Sequence, residues 1–294
     1  MANFENPLES WATEIVDGFT FYHRAAAPTG EAADGDGGEA ADGAGSLPPV
    51  LLLNGCAMAA TSWLPVIERL PGREVLALDR PGFAGTDWTG RVPDLASEVA
   101  IVQRIVTRPV VVVAHSMASF RAEALARLRP ELVAGLVLVD PSIEGHSHRG
   151  LASTFGSASW LRSLDAVTSP AEIRTLAAHV SHRGFLRQTT SARALDWDVF
   201  KDPYAQPETL KATVAEWLSY RQQAADLTAL RRSTMRVAAT TSAMFASPFP
   251  NRRRAAILDR SFARLQRIDL DDSGHLMMID RPDEIVRAVE DHSV

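Results

Sequence analysis

VVVVAHSMASF, residues 110–120, decides the reading of this chain. Four consecutive valines are apolar on both alternating faces of a strand, as a strand covered on both sides requires, and such strands belong to parallel sheets. A helical stretch over 117–129 follows at once. Ser116 therefore stands on a sharp strand-to-helix turn, the context of a nucleophilic serine. Such a turn needs small residues two before and two after the serine, usually glycine; here both are alanine, Ala114 and Ala118. Alanine keeps the small size and gives up some conformational freedom. An ordinary serine capping the following helix is the competing reading.

The same alternation extends outward. Apolar runs occur at 50–54 (VLLLN, closed by Gly55), 74–79 (EVLALD, closed by Pro81-Gly82) and 135–140 (GLVLVD), with helical stretches at 62–70 and 94–107. An earlier run, FTFYHRAA at 19–26, reads as a further strand. Strands alternating with helices predict an α/β fold with a parallel sheet wrapped by helices. After residue 143 the alternation stops, and 144–232, with Trp160, Trp197 and Trp217, reads as mainly helical. It resumes with TMRVAATT at 234–241, a helix near 251–263, a strand at 265–270 and a helix at 281–291. The expected organisation is a core N-terminal half at 1–143, a helical insertion at 144–232 and a core C-terminal half at 233–294. An insertion on the carboxyl edge of such a sheet covers the ligand crevice, so it reads as a lid. Residues 28–49 (PTGEAADGDGGEAADGAGSLPP) repeat EAADG and carry too little apolar surface to offset their ordering entropy. They predict a flexible acidic loop between two strands.

Composition narrows the class. The 294 residues, 46% hydrophobic, supply a sizeable core. A net charge of -6 leaves no electrostatic footprint for nucleic acid or an anionic membrane. The arginine clusters at 231–232 and 252–254 read as solvated surface. One cysteine, Cys56, allows no internal disulfide and fits a reducing compartment. The N-terminal MANFENPLESWATEIVDGF lacks the charged and apolar regions of a signal peptide, and no apolar run is long enough to span a bilayer. The expectation is a cytoplasmic protein whose partner is a small molecule, without nucleic acid or membrane.

Three further segments carry candidate chemistry. Asn54-Gly55-Cys56-Ala57-Met58 follows a predicted strand, and a tight glycine turn there aims a backbone N–H at an oxyanion. The candidate donors are the N–H groups of Cys56 and Met117, the residue after the serine. His275, in DDSGHLMMIDRPDEI at 271–285, lies near the C-terminus, where the order serine, acid, histidine places the base. His115 reads as packing. His146 and His148, and His179 and His182, have metal-compatible spacing but no cysteine cluster or third ligand, so neither a metal nor a cofactor is expected.

Together, NGCAMAATSW (54–63), LALDRPGFAGTDW (76–88), VVVVAHSMASF (110–120), GLVLVDPS (135–142) and DSGHLMMIDRP (272–282) resemble the α/β-hydrolases of the lid-bearing subgroup. That subgroup includes haloperoxidase-like esterases, haloalkane dehalogenases and carbon–carbon bond hydrolases. The resemblance implies the α/β-hydrolase fold, a mostly parallel central sheet with helices on both faces and a helical lid. Two departures stand out. The first segment opens with Asn54-Gly55 where the family usually has His-Gly. The loop after the post-lid strand usually supplies the acid, yet no Asp or Glu occurs from Ser233 to Ile257. Some members take the acid from the strand before the lid, a position that Asp140 matches; Glu144, Asp271 and Asp272 are the alternatives. Trp63 and Trp88 follow family positions near the site mouth and, with Phe83, are candidates for an acyl pocket or for core packing. Dehalogenases and epoxide hydrolases on this fold attack with a carboxylate; a serine suits acyl transfer. The expectation is a serine hydrolase acting on a small, largely apolar ester, thioester or lactone. A carbon–carbon bond hydrolase or other biosynthetic enzyme, and a non-catalytic binding protein, are the competing readings.

Overall fold

The run of valines at 110–113 occupies an inner strand of an eight-stranded sheet. The computed structural model describes residues 6–26, 47–145, 158–191, 202–246 and 252–293. The strands are β1 (Ala12–Val16), β2 (Phe19–Arg24), β3 (Val50–Leu53), β4 (Val75–Asp79), β5 (Val110–His115), β6 (Val133–Val139), β7 (Val237–Ala246) and β8 (Phe262–Leu270). Their order across the sheet is β1-β2-β4-β3-β5-β6-β7-β8. β1 and β2 pair antiparallel, as do β2 and β4; every other pairing is parallel. The described helices are α1 (Leu64–Glu68), α2 (Leu95–Ile105), α3 (Ala118–Leu128), α4 (Ala158–Thr168), α5 (Ala171–Leu186), α6 (Pro207–Ser233), α7 (Arg252–Ser261), α8 (Met277–Asp280) and α9 (Pro282–Asp291).

The continuous apolar runs have a direct explanation in the core. Val110, Val112 and Ala114 enter one hydrophobic cluster with Leu51, Leu53, Phe120, Leu136 and Leu138. Val111 and Val113 enter a second with Leu52, Trp63, Val137, Val139, Ile285 and Val289. Alternate residues of one strand thus feed the layers on opposite faces of the sheet, so no position of β5 is left for a polar side chain except at its end. α2 begins where the Asp94 carboxylate accepts the Ser97 N–H at 2.9 Å, a side-chain cap for an otherwise orphaned donor.

The structure departs from the sequence reading at the edges. β1 was not expected: it forms a hairpin with β2 through Asp17-Gly18, both at positive φ (+50° and +83°), the Asp-Gly pattern of a two-residue hairpin turn. Four of its five residues are exposed, so the strand lacked the apolar signature used to find the others. At the opposite edge β8 begins three residues before the expected start, and it too is mostly exposed. Between β6 and β7 lie helices α4, α5 and α6, the last running for 27 residues. Trp217 on α6 is exposed. Most of the acidic stretch at 28–49, together with Trp197, His146 and His148, lies outside the described residues. Among the described residues no helix is long and apolar enough to cross a membrane.

Candidate active site

β5 ends in His115, and Ser116 turns the chain into α3 with φ +52°. A non-glycine residue in this left-handed region costs about 1–3 kcal/mol and persists only where its surroundings over-determine it. Here they do. The Ser116 N–H donates to the Val139 carbonyl at 3.0 Å, and its carbonyl accepts from Ser119 and Ser142, each at 3.1 Å. Ala114 and Ala118 are both fully buried, which is the physical reason for small residues flanking the turn. Ser116 itself remains partly exposed.

The residue after Val139 is Asp140, at the end of the neighbouring strand and also at positive φ (+40°). Its N–H donates to the Met244 carbonyl of β7 at 2.9 Å. One carboxylate oxygen, Oδ2, lies 2.5 Å from His275 Nδ1, and the other accepts the Ala246 N–H at 3.3 Å. Of the other candidate acids, Glu144 accepts the Tyr220 hydroxyl at 3.2 Å, Asp272 pairs with Arg281, and Asp271 is exposed. Asp140 is therefore the carboxylate that the fold brings to His275.

His275 sits in the loop between β8 and α8, and its backbone is held from two directions. His115 is buried, and its Nε2 lies 2.9 Å from the His275 carbonyl. A carbonyl only accepts, so His115 carries its proton on Nε2. Burial, and then the proximity of His275, push its pKa well below the usual histidine range, keeping the ring neutral. The two imidazoles lie 4.5 Å apart between centroids. The unprotonated Nδ1 of His115 has no hydrogen-bond partner among the described residues; a Cβ at position 55 would come within 2.5 Å of it, so only glycine fits there. On the other side, Asp280 accepts the N–H groups of Gly274 (2.7 Å), Thr190 (3.0 Å) and Ser191 (2.9 Å), and the Thr189 hydroxyl. The Leu276 N–H donates to the Gln188 carbonyl at 2.9 Å. A Cβ on Gly274 would lie 2.3 Å from that same carbonyl. The residues after α5 thus dock on the histidine loop.

The loop at 54–58 faces the turn at Ser116. Asn54, where the family usually has histidine, braces it through two side-chain bonds: its Nδ2 donates to the Leu78 carbonyl at 2.7 Å, and its Oδ1 accepts the Trp63 indole N–H at 2.8 Å. Arg80 donates to the carbonyls of Asn54 (3.0 Å) and Gly55 (2.8 Å), and Arg121 to that of Asn54 (2.9 Å). The Ala57 N–H is committed to Glu216 on α6 at 2.7 Å. The Cys56 thiol is pushed well above its usual range by burial and by the Glu216 carboxylate, which disfavours the thiolate.

The three expected pocket residues make other contacts. Trp63 is fully buried, with its indole N–H spent on Asn54. Phe83 is buried, with the Arg80 guanidinium 5.2 Å above its ring. Trp88 lines a cavity of about 580 Å³ with Pro81, Arg80 and Glu216, and neither Ser116 nor His275 belongs to that lining. His179 bonds the Thr175 carbonyl one helical turn earlier, at 2.7 Å. Sequence reasoning missed Arg80, Asp280 and Glu216. Arg80 and Asp280 fall inside family-like segments and were open to question there; Glu216, mid-helix, carries no local signal.

Residues 50–288 match the sequence profile of the Alpha/beta hydrolase family, and the chain belongs to that family. One curated relative is Esterase Rv0045c of Mycobacterium tuberculosis, 36% identical over 101 residues; the match spans 33% of this chain and 34% of that protein's length. Among solved structures, Cfl2 from Burkholderia cenocepacia superposes with a TM-score of 0.70 at 18% identity, covering 97% of this chain and 95% of that one. The epoxide hydrolase CorEH gives 0.68 at 17% identity, covering 96% and 98%. At these identities the structural likeness is one of fold. Family and fold agree on the α/β-hydrolase architecture.

Proposed function

We propose that the protein is a serine hydrolase that cleaves a small, largely apolar ester, thioester or lactone through an acyl-enzyme. The observation that carries this reading is the placement of Ser116 and Asp140 at the ends of adjacent strands, with the Asp140 carboxylate on His275. Ser116 is held at φ +52° at the end of β5, and on the adjacent strand Asp140 is hydrogen-bonded to His275 Nδ1 at 2.5 Å. Asp140 keeps the Nδ1 proton and so presents Nε2 of His275 as the base. His275 takes the Ser116 hydroxyl proton as Oγ attacks the acyl carbon, then returns it to the leaving group. Water repeats the cycle and releases the acid. Developing negative charge on the carbonyl oxygen is met by the N–H groups of Met117 and Cys56. Met117 is the N-cap of α3, where a helix leaves donors without intrahelical acceptors. Since Glu216 occupies the Ala57 N–H, Cys56 is the loop's donor.

In this reading the segments 1–143 and 233–294 form the core and the helical insertion at 144–232 serves as its lid. A cytoplasmic setting belongs to the same reading and rests on the single cysteine. Serine rather than carboxylate at position 116 favours acyl transfer over the epoxide opening named for CorEH. The esterase relative supports the ester class. The test compares the parent and Ser116→Ala in fluorophosphonate labelling and in hydrolysis of short-chain p-nitrophenyl esters. Labelling and turnover in the parent, both lost in the variant, are expected. A folded parent that does neither overturns the reading.

A further inference from the structure

The loop at 54–58 is held in place by the insertion. Ala57 has φ +59°, a strained conformation for a residue with a Cβ. Both of its backbone polar groups go to residues between β6 and β7: its N–H to Glu216 Oε2 at 2.7 Å, and its carbonyl to the Tyr204 hydroxyl. The other oxygen of Glu216 pairs with Arg80 Nε. Arg80 in turn grips the carbonyls of Asn54 and Gly55, on the other side of Cys56. Glu216, Arg80 and Tyr204 are all buried. Two buried charges are costly unless paired and fully hydrogen-bonded, and this carboxylate meets that condition only by engaging the loop. Nothing in the acyl-transfer cycle uses Glu216 directly, although it reaches the residues on either side of the proposed oxyanion donor.

We propose that Glu216 is a positioning residue through which α6 sets the geometry of the 54–58 loop, so that the Cys56 N–H is aimed at the oxyanion. This rests on the acyl-transfer reading above. The loop's strain at Ala57 is then offset by contacts that only the insertion supplies.

The experiment measures kcat, KM and inhibition by an alkyl boronic acid, whose serine adduct is tetrahedral, for the parent, Glu216→Gln and Tyr204→Phe. Active sites are counted by fluorophosphonate labelling and folding is checked by thermal melting. Misaiming a donor that acts only in the transition state lowers kcat and leaves KM nearly unchanged. Per active site, Glu216→Gln is expected to lose roughly 10- to 100-fold in kcat, with KM within about threefold of the parent and boronate affinity falling in step with kcat/KM. Tyr204→Phe, which removes one hydroxyl, is expected to fall in the same sense by a smaller factor. A folded Glu216→Gln with parental kcat per site and parental boronate affinity overturns the proposal, because a merely structural glutamate would lower only the melting temperature. If Glu216→Gln does not fold, Tyr204→Phe decides, and parental kcat and boronate affinity there overturn it. An active parent whose variants match it leaves the acyl-transfer reading intact; an inactive parent overturns both.

Discussion

Ser116, Asp140 and Ala57 share a property that their identities do not announce: each is a non-glycine residue at positive φ. Two of the three stand at strand ends on the carboxyl edge, and the third lies in the loop opposite them. Conformational strain collects where chain direction is dictated by what a side chain or amide must face. Asp140 illustrates the consequence. It reaches Nδ1 of His275 because its backbone turns out of β6 while its N–H stays tied to Met244. Replacing Asp140 by Asn keeps the shape but lets the amide donate where a carboxylate must accept, favouring the wrong histidine tautomer. The expected outcome is a fall in kcat of roughly 10³-fold or more with little change in melting temperature, measured on the same p-nitrophenyl ester used for the parent.

Asp280 governs the relation between two elements, the segment that follows α5 and the histidine loop. It collects three backbone N–H groups and a hydroxyl from the two sides. Burial works against its charge, yet these hydrogen bonds, led by that of Thr189, hold its pKa below the usual aspartate range. The sign of the linkage follows. The folded pKa is depressed, so the stabilisation is fully present above the unfolded value of about 4 and is lost as pH falls through the lower folded value. Asp280→Asn is expected to cost on the order of 2 kcal/mol at neutral pH and to reduce the loss of stability below about pH 4, read from urea melts at several pH values. Its effect on kcat should exceed that of an equally destabilising core substitution, because Gly274 adjoins His275.

Across the whole molecule the sheet separates two apolar layers, and a buried carboxyl at its carboxyl edge makes stability depend on pH in the opposite direction. Asp79, at the end of β4, is fully buried; desolvation raises its pKa to about 6, against the opposing pull of the Ala60 N–H and Arg80. With a raised folded pKa, its contribution is full below about 4 and is lost as pH rises toward 6. Relative to Asp79→Asn, the parent should lose on the order of 2–3 kcal/mol between about pH 4 and pH 6 and run parallel to it above that window. Parallel curves throughout would show that Asp79 is ionised across the range.

Sequence alone determined the layering, because strands covered on both faces must be apolar at every position. Runs such as 50–53 and 110–113 therefore declare themselves without any knowledge of their neighbours. It also determined Ser116 and His275 as candidates, since a serine between such a strand and a helix, and a histidine in a glycine-led loop, are local patterns. The exposed edge strand β1 escaped, because it has no buried face to mark it. Tertiary structure decided which carboxylate faces His275: the resemblance offered Asp140 and left Glu144, Asp271 and Asp272 open, and only the placement of adjacent strand ends and loops separates them. It alone decided that Trp63 is spent on Asn54 and that Glu216, 159 positions from Ala57, bonds its amide. Local sequence encodes propensity and burial over a few residues; a contact between distant segments exists only once the sheet has fixed their separation.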